Sequence, residues 1–374
     1  MSDMARMPVP LARPRLGDAE LDAVRRVLAS RHLAQGPEVA ALEQEAGAML
    51  GGRQVVAVSS GGSALLLALS ALGIGKGDEV VVPAFTFPAA AQAAAWLGAV
   101  PVPADVDPDT LAVTAETVEA VMTGDTRAIV VSHAFGIPAD VERVVEAAMG
   151  RDLDVIEDAA CAFGGFTARG ARAGTVGKLA CFSLHPRKLV TGGEGGMVAC
   201  DGPMATRVRS LKDYGRTGSG FGDIFGDMGL NFRLSDLCAA VARVQLTSVA
   251  GSIASRANLA KGYIERLDGV NGVGIPRGYF RNGQTWQSFV VRVGEGAPRL
   301  VKLMREKGVE AGPSAHDLTG QTFFRKRWGD SLPCPVSAAL AGELVALPLF
   351  DEMSLDQVDR VVDTLVEALG EIEG

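Results

Sequence analysis

An α/β fold, with a parallel or mostly parallel sheet covered by helices on both faces, is what this sequence predicts. Three observations carry the prediction. Short strand-like apolar runs alternate with helical runs through the first half of the chain, the pattern of repeated β-then-α units. Hydrophobic residues make up 48% and charged residues 21% of the chain, the balance of a folded protein with a sizeable core. Glycine is abundant at 46 residues, which in so apolar a chain means tight turns and close backbone approaches rather than disorder. A length of 374 residues, at roughly 150 per domain, implies about two domains.

The elements follow in order. Gly17-Asp18 precedes AELDAVRRVL, whose apolar residues recur at helical spacing, so a helix starts there. A second helical run follows Gly36-Pro37. In VVAVSSGGSALLLALSAL a strand-like stretch at 55–58 meets a Ser/Gly turn and then an Ala/Leu helix. Strand-like runs at 79–82, 100–103, 128–131 and 153–156 then alternate with helical runs at 88–97, 115–122 and 139–149, and the last strand ends in Glu157-Asp158. Another strand-like run covers 180–184. From Ser235 one long helical pattern reaches about Leu267. Loops at 269–283 precede a strand at 289–293, and helices are expected at 299–307 and 356–369. A boundary near Val249 divides the chain into a large α/β domain, 1–248, and a smaller C-terminal domain, 249–374, on which the N-terminal segment is free to pack. Ligands of such sheets collect at the carboxyl ends of strands, beside helix N-termini. That singles out 59–63, 157–165 and 182–196.

Several function classes are disfavoured. A net charge of −8 argues against broad binding to a nucleic-acid backbone. Cys161, Cys181, Cys200, Cys238 and Cys334 are odd in number and form no CxxC pair, so they read as small buried hydrophobes in a reducing compartment. The N-terminus MSDMARMPVPLARPRLG has no apolar signal region. Apolar residues 65–72 are too few for a membrane span, and 88–102 are interrupted by Gln92. A cytoplasmic protein with no membrane partner is therefore expected. Gly218, Gly220 and Gly222 are followed by Asp223 where a dinucleotide fingerprint needs another glycine, and Gly75-Lys76 is followed by Gly77 where a P-loop needs a hydroxyl. His32, His133, His185 and His316 show no metal-ligand spacing, and no metal is expected.

One constellation survives. An aldehyde cofactor with a phosphate and a basic pyridine nitrogen needs three things. Backbone N–H groups at a helix N-terminus suit the phosphate, and Ser59-Ser60-Gly61-Gly62-Ser63 supplies them. A buried carboxylate keeps the ring nitrogen protonated, and Asp158 stands at a strand end. A lysine forms a Schiff base with the aldehyde, and Lys188 precedes the glycine-rich 191–196. Phe87, after another strand end, can cover the ring face. Singly, Lys188 reads as a solvated lysine, Asp158 as a turn residue and the Ser/Gly turn as a helix cap. Their common position at strand ends, and the strings around them, favour the joint reading.

Those strings resemble the sugar aminotransferases of the DegT/DnrJ/EryC1/StrS family, pyridoxal-phosphate enzymes of fold type I. LASRHLAQGPEVAALE (28–43), GDEVVVPAFTFPAAAQA (77–93), IEDAACAFGG (156–165), FSLHPRKLVTGGEGGMV (182–198) and GLNFRLSDLCAAVARVQL (229–246) carry the likeness, which spans most of the chain. The resemblance implies a seven-stranded-type sheet in the large domain and an α+β small domain. It implies pyridoxal 5′-phosphate as cofactor, with Lys188 as the Schiff-base lysine, Asp158 on the pyridine nitrogen, and Ser183 with Gly61, Gly62 and Ser63 on the phosphate. Phe87 is similar to the family's ring-stacking aromatic, and Cys161 stands where a glutamine often faces the ring substituents. Asn231 is similar to an asparagine that reaches the phosphate from the other subunit, which implies a homodimer with shared active sites.

The departures are specific. Ser60-Gly61-Gly62 replaces the family's Ser-Gly-Thr, so a hydroxyl is lost that Ser63 could replace. Ser30-Arg31-His32 and Trp286-Gln287 also differ from the family's usual strings and are expected at the substrate end. Lys188 is kept, whereas dehydratase relatives carry histidine there. The implied reaction moves an amino group from L-glutamate, or glutamine, to a keto-sugar, most simply a nucleotide-linked 3-keto- or 4-keto-deoxysugar. Lys188 would shuttle the proton, for which the pocket must lower its pKa. His185 and Glu194 read as structural polar residues. Arg216, Arg281 and Arg325 are candidates for nucleotide contact. An aminocyclitol acceptor of keto-inositol type, or a non-catalytic regulatory relative, is the alternative.

Overall fold

The computed structural model describes residues 8–218, 224–329 and 333–373. Its strands are β1 (Gln54–Val58), β2 (Glu79–Pro83), β3 (Phe85–Thr86), β4 (Val100–Ala104), β5 (Thr126–Ser132), β6 (Asp154–Asp158), β7 (Leu179–Ser183), β8 (Gly196–Cys200), β9 (Phe289–Arg292), β10 (Gly312–Pro313), β11 (His316–Asp317) and β12 (Leu344–Leu347). Seven of them form the central sheet in the order β1-β8-β7-β6-β5-β2-β4. Only β8 runs against its neighbours; the remaining pairings are parallel. The expected mostly parallel, helix-flanked seven-stranded sheet is what forms.

The strands are apolar because both faces are covered. Val81, Ile129 and Val131 face one apolar cluster. Their neighbours Val80, Val82, Ala128 and Val130 face another, with helices α3 (Gly61–Ala71) and α4 (Ala89–Trp96). That second layer explains the Ala- and Leu-rich text of 61–71: small side chains let α3 lie close on β7 and β8. Before α3 come α1 (Asp18–Ser30) and α2 (Pro37–Met49), and after α4 come α5 (Ala115–Glu119), α6 (Val141–Met149) and α7 (Gly202–Leu211).

The long helical pattern from Ser235 is two helices, α8 (Asp236–Leu246) and α9 (Val249–Leu267), bent by 61°. The break has a local cause. Thr247 and Ser248 turn their hydroxyls back onto the carbonyls of Val244 and Gln245, at 2.7 and 3.2 Å, and such back-bonding bends or ends helices. α5 ends three residues before the expected Met122. Strand β8 and helix α7 were not legible, because the text before them is glycine-rich and reads as loop.

Beyond α9, β10, β12 and β9 form a three-stranded antiparallel sheet, and β11 pairs with β3. Helices α10 (Ala297–Glu306), α11 (Thr322–Trp328), α12 (Pro335–Glu343) and α13 (Leu355–Glu373) complete the described chain. One apolar cluster runs from Val81 and Ile129 through Tyr263 and Phe289 to Val361 and Leu365, so residues on either side of Val249 share a core. Near the N-terminus, Val9 pairs with Val309, and its N–H donates to Gly308 O at 2.9 Å. The abortive fingerprint at 218–223 lies, but for Gly218, outside the described residues. Among the described residues no single helix is long and apolar enough to cross a membrane.

Candidate active site

The parallel strands end on one edge of the sheet, and the sequence-predicted residues gather there. β1 runs into Ser59 and Ser60, and Ser60 is the N-cap of α3, its Oγ accepting from Ser63 N–H at 3.0 Å. Ser63 is buried, and its hydroxyl donates to Ser60 O at 2.9 Å. The two glycines between them differ. A Cβ on Gly61 would stand 2.8 Å from Ser183 Cβ, whereas on Gly62 it would meet only Ser60 Oγ at 3.8 Å. The helix N-terminus is thus pressed against the end of β7. Its free first-turn N–H groups lie beside the Ser183 hydroxyl, a ready anion cradle. Ser183 Oγ accepts from His185 N–H at 3.4 Å, and His185 Nδ1 accepts from Arg187 N–H at 3.2 Å.

Asp158 closes β6, in register with Ser132 of β5 and Cys181 of β7. Its carboxylate is aimed by two bonds: Ser132 Oγ donates to Oδ2 at 3.2 Å, and Ala160 N–H to Oδ1 at 3.2 Å. The preceding residue points to the other face, as strand alternation requires. Glu157 is fully buried and accepts from the N–H groups of Gly174, Val176 and Gly177 at 2.7–2.8 Å. His133 Nδ1 accepts from Ala139 N–H at 3.1 Å, which leaves Nε2 to donate to Glu157 at 2.9 Å. Burial pushes the Glu157 carboxyl up, but His133 and the backbone donors outweigh it and hold the group below the usual glutamate range.

Lys188 lies in the irregular stretch between β7 and β8, part-buried, with Nζ 3.2 Å from Cys161 Sγ. Together with Phe182, Ser183 and Gln287 the two line a cavity of about 10 Å³, on the order of one water molecule. The expected lowering of the Lys188 pKa is not what these side chains produce. Burial does pull the ammonium down, but Cys161 and Asp158 pull harder and leave it above the ordinary lysine value.

Phe87 follows β3 at the mouth, 71% exposed, its ring 6.2 Å from that of His316. Asn231 is exposed and accepts from Arg233 N–H at 3.3 Å. Its segment is tied to the end of β1 of the same chain, since Ser59 N–H donates to Phe232 O at 2.8 Å and Val58 pairs with Arg233. Around it Met228 and Leu230 are exposed. Arg216 lies 3.7 Å from Asp213 and over the Phe225 ring, and Arg325 donates to Thr319 O at 3.2 Å. Ser132, His133 and Thr285 were not singled out as site residues from the sequence, and Gln287 was expected only at the substrate end. Ser132 and His133 could have been, since they end a strand predicted beside Asp158. Thr285 and Gln287 arrive from the far side of α9.

This edge carries an amine, an aimed carboxylate and an anion cradle, the groups that the class of pyridoxal-phosphate enzymes requires. Within that class, the family model of the DegT/DnrJ/EryC1/StrS aminotransferases matches residues 14–366, and the chain belongs to this family. Solved structures agree. The aminotransferase TlmJ from Streptoalloteichus hindustanus is 30% identical, covers 98% of this chain and 100% of its own, and superposes with a TM-score of 0.92. DesV from S. venezuelae is 31% identical over 97% of this chain and 99% of its own, at 0.89. 3-Amino-5-hydroxybenzoic acid synthase is 28% identical over 98% and 100%, at 0.91. The cofactor of the family is pyridoxal phosphate.

Proposed function

We propose that this chain transfers an amino group from L-glutamate, or L-glutamine, to a nucleotide-linked 3-keto- or 4-keto-deoxysugar in amino-sugar biosynthesis, with Lys188 and Asp158 as catalytic residues. The observation that carries the reading is the Lys188 amine held against Cys161 Sγ, within electrostatic reach of the aimed Asp158 carboxylate, at the edge where α3 begins. Pyridoxal phosphate, when bound, supplies an aldehyde that condenses with amines and a ring that draws electrons from the reacting carbon. The residues fit that group. The approach of Gly61 to Ser183 leaves a cradle that a Cβ would fill, and with Gly62 and Ser183 it would hold the phosphate. Ser63, whose hydroxyl already serves Ser60, would act through its place in the first turn.

Asp158 would face the ring nitrogen, with Ser132 and Ala160 keeping its oxygens in place. Phe87 would cover the exposed ring face, and Cys161 would stand against the ring substituents. Lys188 would hold the cofactor by Nζ and, as a free amine, would take the proton from the donor Cα. That step needs a neutral amine. A protonated ring nitrogen facing Asp158 would offset the carboxylate charge that favours the protonated Nζ, which would move Lys188 toward the neutral form.

We also propose a homodimer in which Asn231 reaches the phosphate site of the partner copy. Met228, 91% exposed, and Leu230, 60% exposed, flank it and would be covered there. Residues 249–374 are taken as the small domain, closing on the mouth near Phe87 through His316.

The test is the visible spectrum of the purified protein with pyridoxal phosphate, before and after L-glutamate. A band from lysine-bound cofactor that glutamate converts to the amine form supports the cofactor, the lysine and the donor together. A band indifferent to glutamate and glutamine supports the regulatory alternative, and no band at all removes Lys188 from its role. Conversion of keto-inositol but not of nucleotide-linked keto-sugars would move the acceptor to the cyclitols.

A further inference from the structure

Lys188 has no strand ladder to fix it. Its own N–H donates to His185 O at 2.8 Å, within a turn. The peptide groups on either side of it are held from elsewhere. Gln287 Oε1 accepts from Leu189 N–H at 3.0 Å, and Gln287 Nε2 donates to the Arg187 carbonyl. A carboxamide carries one acceptor and one donor face, which is what two successive peptide groups require. Neither a carboxylate nor an ammonium could satisfy both. The Gln287 side chain is buried, so these bonds form out of competition with water.

The segment that presents Gln287 is itself tightly determined. Trp286 sits in the left-handed region, φ 55°, a conformation that a bulky residue keeps only when its surroundings impose it. Its ring stacks on Tyr279 at 5.4 Å and 8°, and Tyr279 Oη donates to Ser288 O at 2.5 Å. The buried Arg256, paired with Asp351, donates to Gln287 O at 3.4 Å. One residue before the strained tryptophan, Thr285 Oγ1 donates to Cys161 O at 2.6 Å. The three residues 285–287 therefore grip the Cys161 carbonyl, through Thr285, and the peptide groups on either side of Lys188, through Gln287, and the Cys161 and Lys188 side chains meet at 3.2 Å.

We infer that Gln287 is a positioning residue for Lys188, a clamp from beyond α9 that sets where the lysine amine lies against Cys161 and the reacting carbon. Its catalytic consequence rests on the transamination reading; its structural consequence does not. Trp286-Gln287, expected at the substrate end, acts instead on the lysine. A misplacement of about 1 Å at a reacting group costs on the order of 10²-fold in rate.

The experiment has two arms, on Gln287→Met, which removes both bonds, and Gln287→Glu, which keeps the shape and the acceptor but loses the donor. In the cofactor-free protein, amide hydrogen exchange at Leu189 is expected to rise by about tenfold or more in Gln287→Met, with less change in Gln287→Glu. Unchanged exchange at Leu189 overturns the clamp. In the pyridoxal-phosphate-loaded protein, the half-reaction with L-glutamate is expected to slow by about 10- to 100-fold in Gln287→Met. The donor KM should stay within about twofold, and the isotope effect from α-deuterated glutamate should rise, because proton transfer becomes the slow step. A rate equal to the parent's, or a loss matched by lost cofactor with no change in isotope effect, overturns the positioning role. A parent protein that shows no response to glutamate, together with altered Leu189 exchange, leaves the clamp standing and overturns the function proposed above.

Discussion

At the level of single residues, the two glycines of the α3 turn make the sharpest contrast. They are equivalent as text, but a Cβ on Gly61 would collide with Ser183 while one on Gly62 would make only an ordinary contact with Ser60 Oγ. We expect Gly61→Ala to force the helix off β7, lower stability by about 1–3 kcal/mol, and weaken pyridoxal phosphate binding by about tenfold or more in a fluorescence titration. Gly62→Thr restores the hydroxyl usual in the family and should change stability by no more than about 0.5 kcal/mol, with cofactor affinity equal to or above the parent's. Lys188→Ala should abolish the visible band of lysine-bound cofactor and cut transamination by several orders of magnitude. The sequence marked Lys188 and Asp158 through their places after strand-like runs, and Ser183 through the family resemblance. It marked Gln287 only for the substrate end, because nothing in a glutamine tells which peptide groups it will meet until the fold brings it against Arg187 and Leu189.

Among the elements, helix starts show how local text and tertiary contact divide the work. The sequence placed a helix after Gly36-Pro37, and α2 begins there, yet Gly36 has no side chain with which to cap it. The cap comes from Asp236, 200 residues on, whose carboxylate accepts from the N–H groups of Gly36, Glu38 and Val39 at 2.8–3.3 Å. Asp105 does the same for α12, accepting from Val336 and Ser337 N–H. We expect Asp236→Ala to cost about 1–3 kcal/mol in urea unfolding, more than a local cap, because it leaves buried donors unpaired.

Strand β6 makes a second case, with a pH signature. Glu157 is held below its ordinary pKa in the folded protein. Its contribution to stability is therefore fully present above the ordinary glutamate value and is lost as pH falls through the folded value. Glu157→Gln should destabilise by about 3–5 kcal/mol at pH 7. The gap between parent and variant should narrow as pH is lowered below about 4, and a gap that widens in acid would contradict the assignment.

For the whole molecule, the site is assembled from strand ends of the central sheet together with a segment from beyond α9, so cofactor binding should couple to global stability. With free pyridoxal phosphate at about 100 times its Kd, linkage predicts a gain of about 2.7 kcal/mol. The corresponding rise in Tm should be much smaller in Lys188→Ala. The exposed Met228 and Leu230 belong to the same scale: Met228→Glu should shift the protein from dimer to monomer in native mass spectrometry, if the partner copy covers that face.

The sequence by itself determined the fold class and most strand and helix positions, and it marked the residues on which the proposed chemistry rests. Alternation, capping text and strand-end residues are local properties, written in neighbouring positions. Only the tertiary structure decided that β8 runs against the sheet, that α8 and α9 part at Thr247 and Ser248, that Gly61 rather than Gly62 is sterically required, and that Gln287 clamps Lys188. Each of these depends on residues far apart in the chain coming within a few ångströms, or on a hydroxyl choosing one carbonyl over water. No pattern along the chain encodes such pairings until the core has closed around them.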